Sequence, residues 1–374
     1  MDGDRGVSRD AAATPTARMR TSHRGLLTDV PRARGRAVVD AVIVPASRPP
    51  YALMPSVLLA AELRCPLIAL CSYDAPPAAI EAAAAARGVT VHAIDMRTVR
   101  AHPPLATTAV LRGTEFDRRP DTPRKRNVGL MIAHMAGWRR FLFLDDDIYG
   151  LQAEAVKRAA RLLDRFDVVG LENVGFPDNS VVCHANRDAD GRQDTFIGGG
   201  AMLCSASSVP SLFPDVYNED WFFLLDGRGI RRCAVHGAFA QISFDPYAKP
   251  TRAASEEFGD CLAEGLFALL DDGQPLTAAG RSYWEHFLRE RAAFIDGILR
   301  RLPAAGVTDQ HRERIETSLL VARSSLQRIT PALCTDFLTA WQLDRARWRR
   351  RVRTWPTGLT LPDALARLTV RDGG

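Results

Sequence analysis

The sequence predicts a mixed α/β fold in which a mainly parallel sheet is covered by helices and followed by a wholly helical C-terminal region. Three observations predict it. Short apolar runs alternate with helical stretches up to residue 144, and strands joined by crossover helices run parallel. One of these runs, Phe141-Leu142-Phe143-Leu144, passes straight into Asp145-Asp146-Asp147. From about residue 255 the apolar positions recur at helical spacing only.

The elements follow in order. Residues 1–35, rich in Arg, Ala, Thr and Asp without apolar periodicity, read as a disordered leader outside the fold. Residues 38–44 form the first strand, ended by Pro45, and residues 66–70 and 89–94 the next two. An alanine-rich helix at 77–86, ended by Gly88, lies between those two. Residues 97–122 lack strong periodicity and read as a long excursion of the kind that often serves function. A helix at 125–136 ends at Gly137 and leads into the strand at 140–144. Beyond it come a helix at 153–166, a strand at 167–171, strands around 201–204 and 233–242, and a helix at 219–225 between those two. In the C-terminal region Tyr283, Trp284, Phe287, Leu288, Phe294, Ile295, Ile298 and Leu302 share one face, and Ile315, Leu319, Leu326 and Ile329 another.

Composition narrows the class. With 46% hydrophobic and 25% charged residues over 374 positions, the chain can bury a sizeable core and is not disordered as a whole. The formal charge of +5 favours anionic partners, and a phosphate-bearing substrate fits it as well as a nucleic acid does. Seven scattered cysteines form no Cys-x-x-Cys pair and read as reduced thiols. Neither a secretory signal nor a membrane-spanning run is evident, so a cytoplasmic protein is expected, at most peripheral to the inner face of a membrane.

Three consecutive carboxylates after a buried strand repel one another unless a cation is present. A hard divalent ion shared with a diphosphate would relieve that repulsion; an exposed acidic turn capping the next helix is the alternative. Asn218-Glu219-Asp220 read either as catalytic carboxylates or as the cap of a helix whose core is Trp221, Phe222, Phe223 and Leu224. His236 near a strand reads as a packed histidine or a metal ligand, and His184 has less to recommend it. In the tail, Trp341, Trp348, Val352 and Trp355 recur at helical spacing among Arg345, Arg347, Arg349, Arg350, Arg351 and Arg353. That pattern suits a last helix packed on its own domain, or a basic amphipathic helix touching anionic lipid or an acidic partner.

The stretch Lys125-Arg126-Asn127-Val128-Gly129-Leu130, then a helix, Gly137 and Phe141 to Asp147, resembles the Ala-Arg-Asn-x-Gly…Leu-Asp-x-Asp segment of GT-A glycosyltransferases, particularly family 2. Covering about residues 37–245, the resemblance implies a Rossmann-like nucleotide-sugar-binding domain at 36–255, with a helical subdomain at 256–374 shaping the acceptor site or an oligomer contact. It implies Asp145 and Asp147 as metal or ribose ligands for Mn²⁺ or Mg²⁺, His236 as a third ligand, Asp146 facing the donor sugar and Arg126 near the base or phosphate. Pro45, Ala46 and Arg48 in the first-strand turn, with Asp74 after the next strand, correspond to donor-binding positions. Gly198-Gly199-Gly200 and Trp221 correspond to the sugar and acceptor pocket, Asp220 to the general base of inverting members and Glu219 to an acceptor-positioning residue. The implied reaction transfers a sugar from a nucleoside diphosphate, with uridine expected, to an acceptor the sequence does not name. Retention of configuration is the alternative outcome. A sugar nucleotidyltransferase is another, although the turn at 45–50 lacks the glycines such enzymes use to cradle a triphosphate.

Overall fold

The computed structural model describes residues 18–30, 32–118, 121–177, 180–227 and 229–369. Its strands are β1 (Thr28–Asp29), β2 (Ala41–Ala46), β3 (Leu67–Cys71), β4 (Val91–Asp95), β5 (Arg140–Leu144), β6 (Ile148–Tyr149), β7 (Val168–Asn173), β8 (Ala201–Ser205) and β9 (Cys233–Gln241). Helices α1 (Met54–Leu63), α2 (Pro77–Ala85), α3 (Ala106–Leu111), α4 (Thr122–Met135), α5 (Ala153–Leu162), α6 (Val181–Asp188) and α7 (Glu219–Leu224) fall among them. Helices α8 (Thr251–Asp271), α9 (Arg281–Arg301), α10 (Asp309–Leu326), α11 (Pro331–Thr354) and α12 (Leu361–Arg367) complete the chain. None of the helices described is long and apolar enough to cross a membrane.

The sheet order is β4-β3-β2-β5-β8-β7-β9-β1, with β6 paired to β9. All neighbours along it run parallel except β8, which is antiparallel to both β5 and β7. The mixed α/β class and the mainly parallel sheet are as expected. Two apolar layers cover it: one includes Val42, Val44, Leu142 and Leu144, the other Ile43, Phe141 and Phe143. Alternate residues of β2 and β5 thus feed opposite faces, as a central strand requires.

Pro45 lies inside β2 instead of ending it. Val42 N–H donates toward Pro66 of the β3 side, so by alternation Pro45 presents its nitrogen to β5, past the last β2–β5 pair, Ile43 with Phe143. No ladder bond is lost there, which is why proline is tolerated.

The boundary expected after residue 255 falls inside α8, and the C-terminal helices are not set apart from the sheet. Phe337 and Trp341 of α11 pack with α8 and α9, whereas Trp348 and Val352 pack with the β2–β5 layer. The Leu359 N–H donates to Met135 O of α4 at 2.8 Å, and the Trp348 indole to Val209 O at 2.8 Å. The tail tryptophans therefore pack on their own chain. The expected excursion also folds in part, as α3, whose first amides are capped by Asp344 of α11.

Part of the expected leader belongs to the fold as well; residues 1–17 of it lie outside the described residues. His23 is buried, its ring edge-on to Trp221 and Phe267. One ring nitrogen lies 2.9 Å from Glu264 of α8 and the other is bonded to Asp271. No apolar period announced this segment, because much of what holds it is polar: His23 bonded at both nitrogens, the Arg20–Asp272 and Arg24–Glu172 ion pairs, and the pairing of β1 with β9. Burial alone would lower the His23 pKa, but the bonds to Asp271 and Glu264 win and raise it from 6.5 to about 9. Since the folded value lies above the ordinary one, the stabilisation is full below pH 6.5 and is lost as pH rises through 9. Over that window wild type should lose about 3 kcal/mol more stability than His23→Gln, measured by urea unfolding. Parallel pH profiles for the two would contradict the ion-pair assignment.

Candidate functional site

The site lies where the C-terminal ends of β2 and β5 meet the start of β8, the edge at which parallel strands and helix N-termini present unpaired groups. Asp145 leaves β5 with its N–H bonded to Gly200 O at 2.9 Å, which fixes the carboxylate run against the glycine segment. A cavity of about 260 Å³ opens there. Arg126, Asp145, Gly198, Gly199, Gly200, Glu219, Asp220 and Trp221 line it, as do Phe196, Ser180, Cys183, Asp260 and Glu264.

Arg126 holds this site together. It projects from α4, is 3% exposed, and donates from Nη2 to both Asp145 oxygens at 2.9 and 3.0 Å and from Nη1 to Glu219 at 2.7 Å. Burial would lower its pKa, but Asp145, then Glu219 and Asp220, hold the charge in place and push it up. A Cβ on Gly199 would lie 2.3 Å from the guanidinium nitrogens, so only glycine lets the backbone pass over the cation. The Gly199 N–H in turn donates to Asp220 Oδ2 at 2.5 Å, and Trp221 N–H to Asp220 Oδ1 at 3.0 Å. Burial raises the pKa of both Glu219 and Asp220, against the opposing pull of Arg126.

Residue 218 enters α7 through a left-handed turn, φ 61°, a conformation asparagine tolerates better than most residues. Its side-chain amide donates to Asp260 of α8 at 3.0 Å. Asp260 also accepts from Ser180 at 2.7 Å and from the fully buried Arg291 at 2.6 Å. Gly259 permits this approach, because a Cβ there would lie 2.2 Å from Tyr217 O.

The first-strand turn forms the other wall. Asp146 accepts from the Ser47 and Arg48 N–H groups at 2.6 and 2.9 Å and pairs with the Arg48 guanidinium. Expected to face a donor sugar, it is turned to the backbone instead, because two adjacent amides and a guanidinium satisfy a buried carboxylate fully. Asp147 accepts from Arg48 at 3.0 Å and from Gln241 at 3.2 Å. Burial, then the charge of Asp145, raises its pKa to about 6. Pro45 and Ala46 are buried in β2, and Asp74 is exposed, its N–H bonded to Ser47 O at 3.1 Å.

His236 is not brought to the carboxylates. Mid-strand in β9, its Nδ1 lies 2.7 Å from Val30 O and it lines a separate cavity with Asp29, Arg32 and Arg158. The β9 residue that reaches the run is Gln241, at the strand's C-terminal end. Among the described residues no group of three His, Cys, Asp or Glu is arranged to hold a metal. His184 is likewise elsewhere, stacked on Phe176.

Besides Gln241, two members of the site escaped the sequence reading. Lys125, fully buried, donates to Ala46 O at 2.8 Å and to Ser47 Oγ at 2.7 Å and pairs with Asp121 at 2.9 Å. Its place beside Arg126 in the basic motif was the available signal. Asp260 had none, since an acid on a long helix reads as a solvated residue until the helix is seen to pack behind the Asn218 turn.

Removing the Arg126 cation leaves Asp145 and Glu219 facing each other without a counter-charge. Arg126→Met should therefore cost roughly 3 kcal/mol at alkaline pH and less, though still measurably, at neutral pH, where Glu219, already pushed up by burial beside Arg126 and further without it, protonates. Urea unfolding at two pH values checks this, and an unchanged midpoint at neutral pH would contradict it.

No family model and no curated protein matches the chain. Among solved structures it is similar to the mannosyltransferase PcManGT from Pyrobaculum calidifontis in complex with GDP-Man and Mn²⁺, at 14% identity and a TM-score of 0.42, over 90% of this chain and 88% of that one. It is also similar to A197 from STIV, at 13% identity and a TM-score of 0.29, over 55% of this chain and 86% of the other.

Proposed function

We propose that this protein is a metal-dependent GT-A glycosyltransferase that moves a sugar from a nucleoside diphosphate to an acceptor hydroxyl with inversion. One observation carries the reading: Asp145 and Arg126, from the basic motif and the Asp run, line one cavity with Gly199, Gly200, Glu219 and Asp220. That segments distant in sequence meet in one cavity supports the reading.

The donor diphosphate would lie over the ends of β2 and β5, beside Arg48 and Asp145 to Asp147. The donor set fits a hard cation, since burial and then the charge of Asp145 make Asp147 difficult to ionise, and two carboxylates plus phosphate oxygens are the usual holders of Mn²⁺ or Mg²⁺. When bound by Asp145 and Asp147, such an ion would offset charge on the departing diphosphate.

The remaining work falls to the chain. Asp220 Oδ accepts the proton of the acceptor hydroxyl as that oxygen attacks the anomeric carbon and the bond to the diphosphate oxygen breaks. Burial makes Asp220 a stronger base than an exposed aspartate, and the Gly199 and Trp221 amides fix its orientation. Arg126 supplies a buried positive charge beside the reacting centre, and Trp221 and Phe196 wall the acceptor side.

Calorimetric titration should show that Asp145→Ala and Asp147→Ala each weaken Mn²⁺-dependent binding of nucleoside diphosphates while the protein stays folded. Unchanged affinity for every diphosphate in both variants would remove the metal-site claim. Asp220→Asn should keep donor affinity and lose turnover by roughly 10²-fold or more, read as transfer or as slow donor hydrolysis. Near-wild-type transfer in that variant would end the base role and favour a retaining mechanism.

A further inference from the structure

Outside the site, a second cavity of about 350 Å³ lies between α11 and the loop before α3. One wall is Pro103, Pro104 and Leu105; the other is Trp348 and Thr354 with Arg347, Arg350 and Arg351. The floor is apolar and the rim is cationic. Trp348 is held in place by its bond to Val209 O, so the floor is pre-formed.

At Arg347 and Arg350 the positive charge of the rim is not cancelled by an ion pair. Arg347 and Arg350, one helical turn apart, are both exposed, and no carboxylate of the described residues lies within ion-pair distance of either. Asp344, the acid on this wall, is 2% exposed and turned away. Its Oδ1 accepts from Ala106 N–H at 2.6 Å, and its Oδ2 from Thr107 N–H and Oγ1 at 2.8 and 2.9 Å. Long-range repulsion among uncompensated arginines is a cost, and an anion relieves it.

Apolar floor and arginine rim together select an amphiphile with an anionic head. A peptide fits less well: Pro103 and Pro104 carry no N–H, the Ala106 and Thr107 amides are already bonded to Asp344, and the opposite wall is a helix whose amides are internally paired. We propose that this groove docks the protein on an anionic phospholipid surface, with acyl or glycerol atoms over Trp348 and Leu105 and lipid phosphates on Arg347 and Arg350. Guanidinium groups suit phosphate because they can bond it bidentately, and basic residues near such a surface are attracted to it.

Co-sedimentation of the full-length protein with vesicles tests this. Wild type should sediment with phosphatidylcholine–phosphatidylglycerol vesicles, not with phosphatidylcholine alone, and less as salt rises. Double charge reversal, Arg347→Glu with Arg350→Glu, should weaken binding roughly tenfold or more. Pro104→Asp, at the exposed lip of the groove, should weaken it too. These are surface changes, and unaltered circular dichroism and melting would exclude misfolding as the cause. Failure of wild type to bind anionic vesicles, or equal binding by the double variant, overturns the proposal. Capture by polyglutamate without vesicle binding overturns it in favour of an acidic protein partner.

Discussion

One buried cation organises this molecule. Arg126 reaches from α4 to Asp145 at the end of β5 and to Glu219 at the start of α7, joining parts of the chain that no local interaction could hold in register. Its neighbours follow from that demand. Gly199 is glycine because the backbone crosses directly over the guanidinium, and Asp220 is oriented by the amide that this crossing exposes. A buried arginine with two carboxylate partners is poor evidence for net stability, since desolvation offsets much of the attraction. What it secures is position, which suits a cavity whose proposed chemistry depends on where the carboxylates point.

The helical region supports the same geometry from behind. Arg291 of α9, wholly buried, pairs with Glu257 and Asp260 of α8. Asp260 then fixes the left-handed Asn218 turn that delivers Glu219 and Asp220 to the cavity. On the far side, His23 pins the N-terminal segment against Trp221 and α8. The C-terminal helices are therefore part of the site's scaffold, and α11 spans both apolar layers rather than closing a domain of its own.

Much of this was legible in the sequence, and the reasons for the rest are physical. Strand and helix order could be read because apolar period is set by which face is buried, and α2, α4, β3 and β5 fall within a few residues of expectation. Pro45 misled, because proline ends a strand only where a ladder bond is required of it. The convergence of Arg126, Asp145, Gly199 and Asp220 was anticipated through a motif's order. The orientation of Asp146 and the places of Lys125, Gln241 and Asp260 were not, since which way a side chain turns depends on amides and helices brought near it only by folding. The same holds for His236, whose strand position gave no hint that it would face Val30 rather than the Asp run.

The proposed chemistry requires the diphosphate of a donor to sit over the ends of β2 and β5. A crystal structure of the protein with a nucleoside diphosphate and Mn²⁺ tests that most directly. The expected result is a metal ion bridging the diphosphate to Asp145 and Asp147, with the cavity beside Asp220 open to the sugar. A nucleotide bound beside His236, or a metal ion away from both carboxylates, would contradict it.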